Sequence, residues 1–502
     1  MTEEGNNRVG MGGNTVSPHE PVNVISDLDR FFTQPAIESA YSRSWTMHVS
    51  PSGHSNDRRL SFNIPPMSDG NLYLLKDAKL ALTVRLVDKD GNKPADDAKV
   101  SISNNLGQTL FKDIHMTMNE CPCSLGYAGL YAHFCYMYNF LNASTDRKNG
   151  LLQLQGFASD NFADLDSASA RHWGPVGQQS GFNTRRNMFG NYDKTRAKFT
   201  FDGEPRLFFS PLMTDFTNCE QPILSGVTIR LEMTRNRDTA TVQNGDIVLN
   251  NTTSNTAFKA KGYKISVDKV ELLIPVRTLN ASLNLKIEQK LKEKPLNYNT
   301  IRTEVKKISL EKGHRTFVID NLKTPQQSIL PDRIYLALIA DYYFDSDIGR
   351  NPFTYSSVLF EDPAKVATGT EPKTTKLIQT RLSVNNESLE TFEGTGDAHA
   401  HCARKLLDLY STLGFTETEA GLPIPIQQYM YKDFIIGYDI TASKNAALLG
   451  ADIRGRALDG AMRLDMTFSD VLPTNAWLLV LSEYHSSLSI THNRNVKYSY
   501  FA

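Results

Sequence analysis

Cysteine is scarce in this chain: five residues in 502, at positions 121, 123, 135, 219 and 402. A sparse, odd set is no framework for a small disulfide-stapled secreted module, so the thiols are expected to be reduced. An excess of one charge is also missing. Lys and Arg number 54 against 55 Asp and Glu, a net charge of -1. That balance argues against electrostatic attachment to nucleic acid or to an anionic membrane. There is no run of about 18 apolar residues, so no membrane span is expected. The segment up to Arg30 has no apolar stretch of the signal-peptide kind. It reads as a flexible arm, and its acids (Glu3, Glu4, Glu20, Asp27, Asp29) against Arg8 and Arg30 speak against a DNA-packaging role. A reducing cytosolic or nuclear setting follows, in which the acceptor sequences at Asn142 and Asn280 stay unglycosylated.

Catalytic signatures are missing too. There is no G-x-S-x-G elbow, no Walker loop and no H-E-x-x-H. Several near misses have plainer readings. Gly394-Thr395-Gly396 lacks the third glycine and the preceding strand of a dinucleotide loop, and reads as a helix-entry turn. Cys121-Pro122-Cys123 is too tight for a zinc knuckle, even with Cys135 near, and reads as a thiol-containing turn. In His399-Ala400-His401-Cys402 the two imidazoles lie two residues apart, so on a helix they point in different directions. Asp345-Ser346-Asp347-Ile348-Gly349-Arg350-Asn351 starts like a calcium loop but has Arg350 where glycine is needed and Ser356 where the closing Glu belongs. Asp88-Lys89-Asp90-Gly91-Asn92 fails likewise and fits a hairpin turn. The lysine-rich stretch 286–307 reads as a solvated face. No catalytic, cofactor-binding or metal-binding residue is assigned.

What the chain does have is apolar content, 40% with 10% aromatics, and a repeated pattern. Thr228-Ile229-Arg230-Leu231-Glu232-Met233-Thr234 returns as Ala461-Met462-Arg463-Leu464-Asp465-Met466-Thr467. Both copies alternate apolar and polar, as half-buried strands do. A looser echo links Asp77–Arg85 to Asp268–Arg277. Two like β-units are therefore expected, from about Ser42 to Asp238 and from about Gly262 to Phe501, with the polar stretch Arg235–Lys261 a linker or a loop ending the first. Strands are expected at 79–86, 110–118, 199–201, 207–209 and 228–234. In the second unit they are expected at 270–276, 302–310, 315–319, 333–340, 377–384, 434–440, 460–468 and 477–484. Three-to-four spacing predicts amphipathic helices over Ala128–Asn142 and Ala398–Leu413, the latter with Asp397 as N-cap and Gly414 as stop. Asn280–Lys292 is expected to be a solvated helix capped by Asn280. Gly150–Lys198 reads as an elaborate surface loop. From Cys135 to Arg230 is 95 residues but from Cys402 to Arg463 only 61, so the first unit carries the longer insertion, expected within 150–198. Many strands with few helices favour sandwiches or barrels over a βαβ sheet.

Several segments, in order, resemble the double jelly-roll major capsid protein of Polinton/Maverick elements, adintoviruses and their relatives in the adenovirus-like lineage. They are the Tyr-rich stretch Leu130–Asn142; Ser210-Pro211-Leu212-Met213-Thr214-Asp215-Phe216 followed by Ile223–Leu231; Ile301–Lys306 with Gly313; and Gly437-Tyr438-Asp439-Ile440-Thr441. The most specific is Pro331-Asp332-Arg333-Ile334 running through Asp341 and Phe344 to Asn351-Pro352-Phe353. The match covers about 70–485. Segments 150–198 and 236–261 and the arm match nothing in it. The resemblance implies an all-β fold of two tandem jelly-roll β-sandwiches with a few short helices in the connecting loops. The division would be arm 1–40, first jelly roll 41–240, linker or loop 241–261, second jelly roll 262–502. It further implies a hexon-like structural protein rather than an enzyme, found in the virion after synthesis in the host cytoplasm or nucleus. Its partners would be itself, as a pseudo-hexameric homotrimer and neighbouring capsomers, together with penton and minor capsid proteins, with no specific nucleic-acid binding. The rival is a carbohydrate-active enzyme or lectin built of two β-sandwiches, which would need paired carboxylates or aromatic platforms.

Overall fold

A computed structural model describes residues 41–500, apart from 69, 125, 161–179, 194, 196–197, 220, 246–251, 321, 323–328, 347–348, 363–371, 390–395, 416–421 and 442–459. The expected arm 1–40 lies outside the described residues. In chain order the first strands are β1 (Tyr41–Val49), β2 (Arg59–Ile64), β3 (Asn71–Tyr73), β4 (Lys79–Val87), β5 (Val100–Ile102), β6 (Phe111–Met118), β7 (Cys121–Ser124), β8 (Gly190–Asp193), β9 (Lys198–Phe201), β10 (Arg206–Pro211), β11 (Ile229–Arg235), β12 (Val242–Asn244) and β13 (Lys264–Leu279). They are followed by β14 (Leu296–Leu310), β15 (Thr316–Ile319), β16 (Arg333–Ala340), β17 (Val358–Phe360), β18 (Thr374–Val384), β19 (Glu387–Ser388), β20 (Ile435–Asp439), β21 (Met462–Phe468), β22 (Ala476–Ile490) and β23 (Val496–Tyr500). Three longer helices matter below: α1 (Tyr131–Asn142), α2 (Ala281–Glu293) and α3 (Ala398–Leu413).

Sheet order reveals the duplication. One sheet runs β1-β13-β4-β10 and faces a second that runs β2-β11-β6-β7. Later in the chain β14-β22-β16-β20 and β15-β21-β18 repeat the pattern, with β19 hairpinned onto β18 as β7 is onto β6. Taken in chain order, the eight strands of each set occupy matching places, which is jelly-roll connectivity twice over. Alternation supplies the cores. β4 buries Leu80, Leu82, Val84 and Leu86 and exposes Lys79 and Arg85, while β2 buries Leu60, Phe62 and Ile64.

The repeated heptapeptide sits in equivalent strands. β11 lies between β2 and β6, and β21 lies between β15 and β18. Ile229, Leu231 and Met233 in one copy and Met462, Leu464 and Met466 in the other face the core. Residues two apart share a strand face, so each copy pairs its Arg with its acid outside: Arg230–Glu232 at 2.7 Å and Arg463–Asp465 at 2.9 Å.

The second echo has another origin. β13, expected to open the second unit, is hydrogen-bonded between β1 and β4 in the first. Asp77–Arg85 and Asp268–Arg277 therefore lie within antiparallel neighbours, not duplicates. They look alike because both bury one face against the same core, and Arg85 reaches Asp268 across the pair at 2.9 Å. The stretch 241–261 is accordingly part of the connection from β11 to β13. It holds β12, paired with β5 and fully buried, and a helix at Thr252–Lys261.

α1 joins β7 to β10 and α3 joins β19 to β20, again equivalent places. α1 starts at Tyr131 rather than Ala128 because Ala128 (φ 52°) and Gly129 (φ 78°) sit in the left-handed region. α3 has the expected bounds. Asp397 accepts from the backbone of His399 and Ala400, and Gly414 ends the helix at φ 71°. Asn280 precedes α2 but makes no side-chain cap. The longer insertion of the first unit does lie between α1 and β10. Its described part is more than a surface loop: it includes a helix at Ser180–Asn187, the β8–β9 hairpin, and a fully buried Arg185.

Candidate functional site

The feature with the most chemistry is the seam between the two units. The first unit contributes α1 and the connection from β10 to β11; the second contributes β14 and the segment 344–355. The Tyr136 ring stacks on Phe353 at 4.2 Å and 7°. His133 lies parallel to Phe344 at 5.3 Å, and its Nδ1 is 3.0 Å from the Tyr355 hydroxyl. Burial, with Arg237 and Lys307 nearby, pushes the His133 imidazole down to about 3, so it is neutral at physiological pH.

β14 is an edge strand, and unpaired edge amides invite pairing. One of them, the Thr303 N–H, donates to the Asp215 carboxylate at 2.9 Å. Burial lifts that carboxyl to about 7, with the Thr303 bond and Arg302 pulling the other way. Further hydrogen bonds cross the seam: Tyr298 Oη to Pro222 O (3.1 Å), Lys432 Nζ to Asp160 O (2.7 Å), Asn119 Nδ2 to Arg494 O (2.7 Å) and Asn244 N to Gly349 O (2.8 Å). Most buried apolar residues of both units belong to one continuous core.

The near-miss motifs of the sequence lie elsewhere. Cys121 and Cys123 are adjacent on β7, Cys121 part-exposed and Cys123 buried, while Cys135, Cys219 and Cys402 are buried free thiols. The Cys123 S–H stabilises the Cys121 thiolate and holds that thiol below its ordinary range. Cys121 is therefore expected to be alkylated before the other four by substoichiometric iodoacetamide at neutral pH, read by peptide mass spectrometry. His401 is buried, and burial pushes it down to about 3, while Cys402 Sγ lies 3.2 Å from Ser357 Oγ. His399 has only its backbone engaged with the Asp397 cap.

Asp345 pairs with Arg237 across the seam, and Arg350 pairs with Asp362 and lies over Tyr342 at 4.8 Å. Asp347 and Gly394 are outside the described residues. Asp88 Oδ1 accepts from Asp90 N and Asn92 N, the hairpin turn expected there. The lysines of α2 are exposed, and so is Lys307, which stands over Phe344 and Trp477 at 5.0 and 4.6 Å. Among the described residues no group of three or more His, Cys, Asp or Glu is placed to hold a metal ion, and no helix is long and apolar enough to cross a membrane.

The three-to-four spacing of α1 predicts one buried face and so does not point to the seam residues. Every residue of it except Tyr138 and Asn142 is buried. Aromatics all round the helix, at Tyr131, Phe134, Tyr136, Tyr138 and Phe140, were the signal that both faces would be covered.

No family model matches the sequence, and no curated protein matches it. Solved structures do. The Sputnik virophage structure matches with a TM-score of 0.59 at 12% identity, over 94% of this chain and 91% of that one. The PBCV-1 virus capsid gives 0.52 at 11%, over 94% and 99%. The Faustovirus major capsid protein gives 0.50 at 11%, over 95% and 94%. At such identities the likeness establishes the architecture over nearly the whole length: the chain is all-β and folds as two tandem jelly-roll sandwiches, with short helices in the connections.

Proposed function

We propose that this chain is the major capsid protein of a virus or virus-like element of the Polinton/Maverick–adintovirus kind. In this reading three copies close into a pseudo-hexameric trimer that tiles an icosahedral shell. The β13 pairing supports jelly rolls of about 41–279 and 294–500, joined by α2. The role is structural, in the virion, after synthesis in the host cytoplasm or nucleus, with penton and minor capsid proteins as further partners.

The observation that carries the reading is an asymmetry of exposure between equivalent surfaces. In the seam, α1 and the β10–β11 connection of one unit cover β14 of the other. The matching surfaces, β1 on the first unit and α3 on the second, have no such cover from the other unit among the described residues. β1 has no buried residue, whereas β14 buries Tyr298, Thr300, Arg302, Thr303, Val305 and Leu310. α3 leaves Leu407 62% exposed. If α3 of one chain covers β1 of the next as α1 covers β14, a head-to-tail contact repeats, and three chains close the ring. A carbohydrate-active enzyme or lectin is not favoured, because the structures sharing the fold along the whole chain are viral capsid proteins.

Sedimentation at micromolar concentration and neutral pH is expected to give a trimer, and negative stain hexagonal outlines. Thr46→Glu, on the exposed face of β1, with Leu407→Glu is expected to convert trimer to folded monomer. A wild-type monomer, or a trimer indifferent to both changes, counts against the proposal.

A further inference from the structure

A cleft of about 690 Å³ opens at one end of the seam. Three neighbouring strands of the first unit end there. Arg235 of β11 lies opposite Phe111 of β6, and its backbone N bonds to Arg58 O just before β2. This register gathers Arg58, Lys112 and Arg235 at one rim, with Arg237 just beyond. The second unit adds Lys307, Phe344 and Asp345, with Pro352 and Phe353 buried beneath the Phe344 ring. Among the residues lining the cleft, five are cations and Asp345 is the one acid.

The cations are not equivalent. The Arg235 guanidinium is occupied by Asn56 O and Ile265 O. Arg237 is held by Asp345 and the Phe344 carbonyl. Lys307 stands over two rings. The side chains of Arg58 and Lys112 have no acid or hydrogen-bond partner among the described residues, Arg58 being exposed and Lys112 half-buried. Nearby acids are engaged elsewhere: Asp113 accepts from Tyr127 N and Gly129 N, and Asp57 from His54 N.

Lysines on a convex helix such as α2 are usually a solvated face, and there Glu288 and Glu293 break up the charge. Here the surface is concave, one sign dominates, and the walls include aromatic rings. Such a site suits an anionic group attached to a small organic body. We propose that this cleft binds a phosphate- or sulfate-bearing small anion, with Arg58 and Lys112 as its direct ligands. The proposal does not depend on the capsid reading.

The test is calorimetric titration of the full chain, in whatever assembly it forms, at low salt. The probes are inorganic phosphate, inorganic sulfate, adenosine monophosphate and glucosamine 6-sulfate. Saturable binding is expected, and the better of the two organic probes distinguishes a phosphorylated source from a sulfated one. Arg58→Glu with Lys112→Glu is expected to weaken binding by about tenfold or more. Lys286→Glu with Lys290→Glu, on α2, is expected to leave it within about twofold. Arg58→Gln with Lys112→Gln serves if the reversal variant misfolds. Failure of every probe to saturate by about 10 mM, or equal losses in the cleft and α2 variants, overturns the proposal.

Discussion

Phe353→Ala is expected to lower the unfolding free energy by about 3–5 kcal/mol, the range for removing a fully buried aromatic ring. Phe353 is 0% exposed and meets rings of the first unit, Tyr136 at 4.2 Å and His133 at 5.5 Å. The loss should therefore fall on the coupling between units as well as on total stability. In urea, wild type should unfold in one transition, because the two cores are continuous. The variant should separate into two, followed by near-ultraviolet signals from each half. A loss below about 1 kcal/mol with a single transition would mean that the seam is held by its polar contacts instead.

Two buried titratable groups on the same seam should give stability opposite dependences on pH. Asp215 sits at about 7 in the folded chain, against about 3.9 unfolded. Between those values the folded state keeps a proton that the unfolded state has lost. Its contribution to stability thus falls as pH rises from about 4 to about 7, by about 4 kcal/mol. His133 sits at about 3, against about 6.5 unfolded. Its contribution is intact above 6.5 and is lost on acidification, by about 5 kcal/mol by pH 3. Over the shared window the two partly cancel, so wild type alone is uninformative. The Asp215→Asn variant should gain on wild type as pH rises from 4.5 to 7. The His133→Gln variant should gain on it as pH falls from 6.5 to 4.5. Melting curves of the three proteins across that range check both signs, and parallel profiles would refute the burial argument.

Much of the architecture was legible because it rests on local periodicity. β16, Arg333–Ala340, and α3, Ala398–Leu413, have the expected bounds, the strand as an apolar run and the helix through its caps. In α3 the signals agree, since Asp397, the apolar stripe and Gly414 all mark one helix. The heptapeptide repeat found equivalent strands because both copies meet the same demand, one face in a core and the other in water. The same logic misled at β13. Its alternation reports a half-buried strand but not which sheet takes it, so chain order points to the unit that follows rather than the one it completes. Similarity to β4 came from a shared core, and periodicity alone cannot separate a neighbour from a copy.

What the sequence determined by itself is the class of the molecule: all-β, duplicated, near neutral, with helices only in connections. Those properties follow from composition and from periods of two and 3.6, which each segment carries without reference to the others. Only the tertiary structure decided that Lys264–Leu279 closes the first unit. It alone brought Tyr136 to Phe353, Thr303 to Asp215 and Arg58 beside Lys112, because such contacts join residues far apart in the chain. They are selected by pairing register and by the fit of two complete cores, neither of which any single segment encodes.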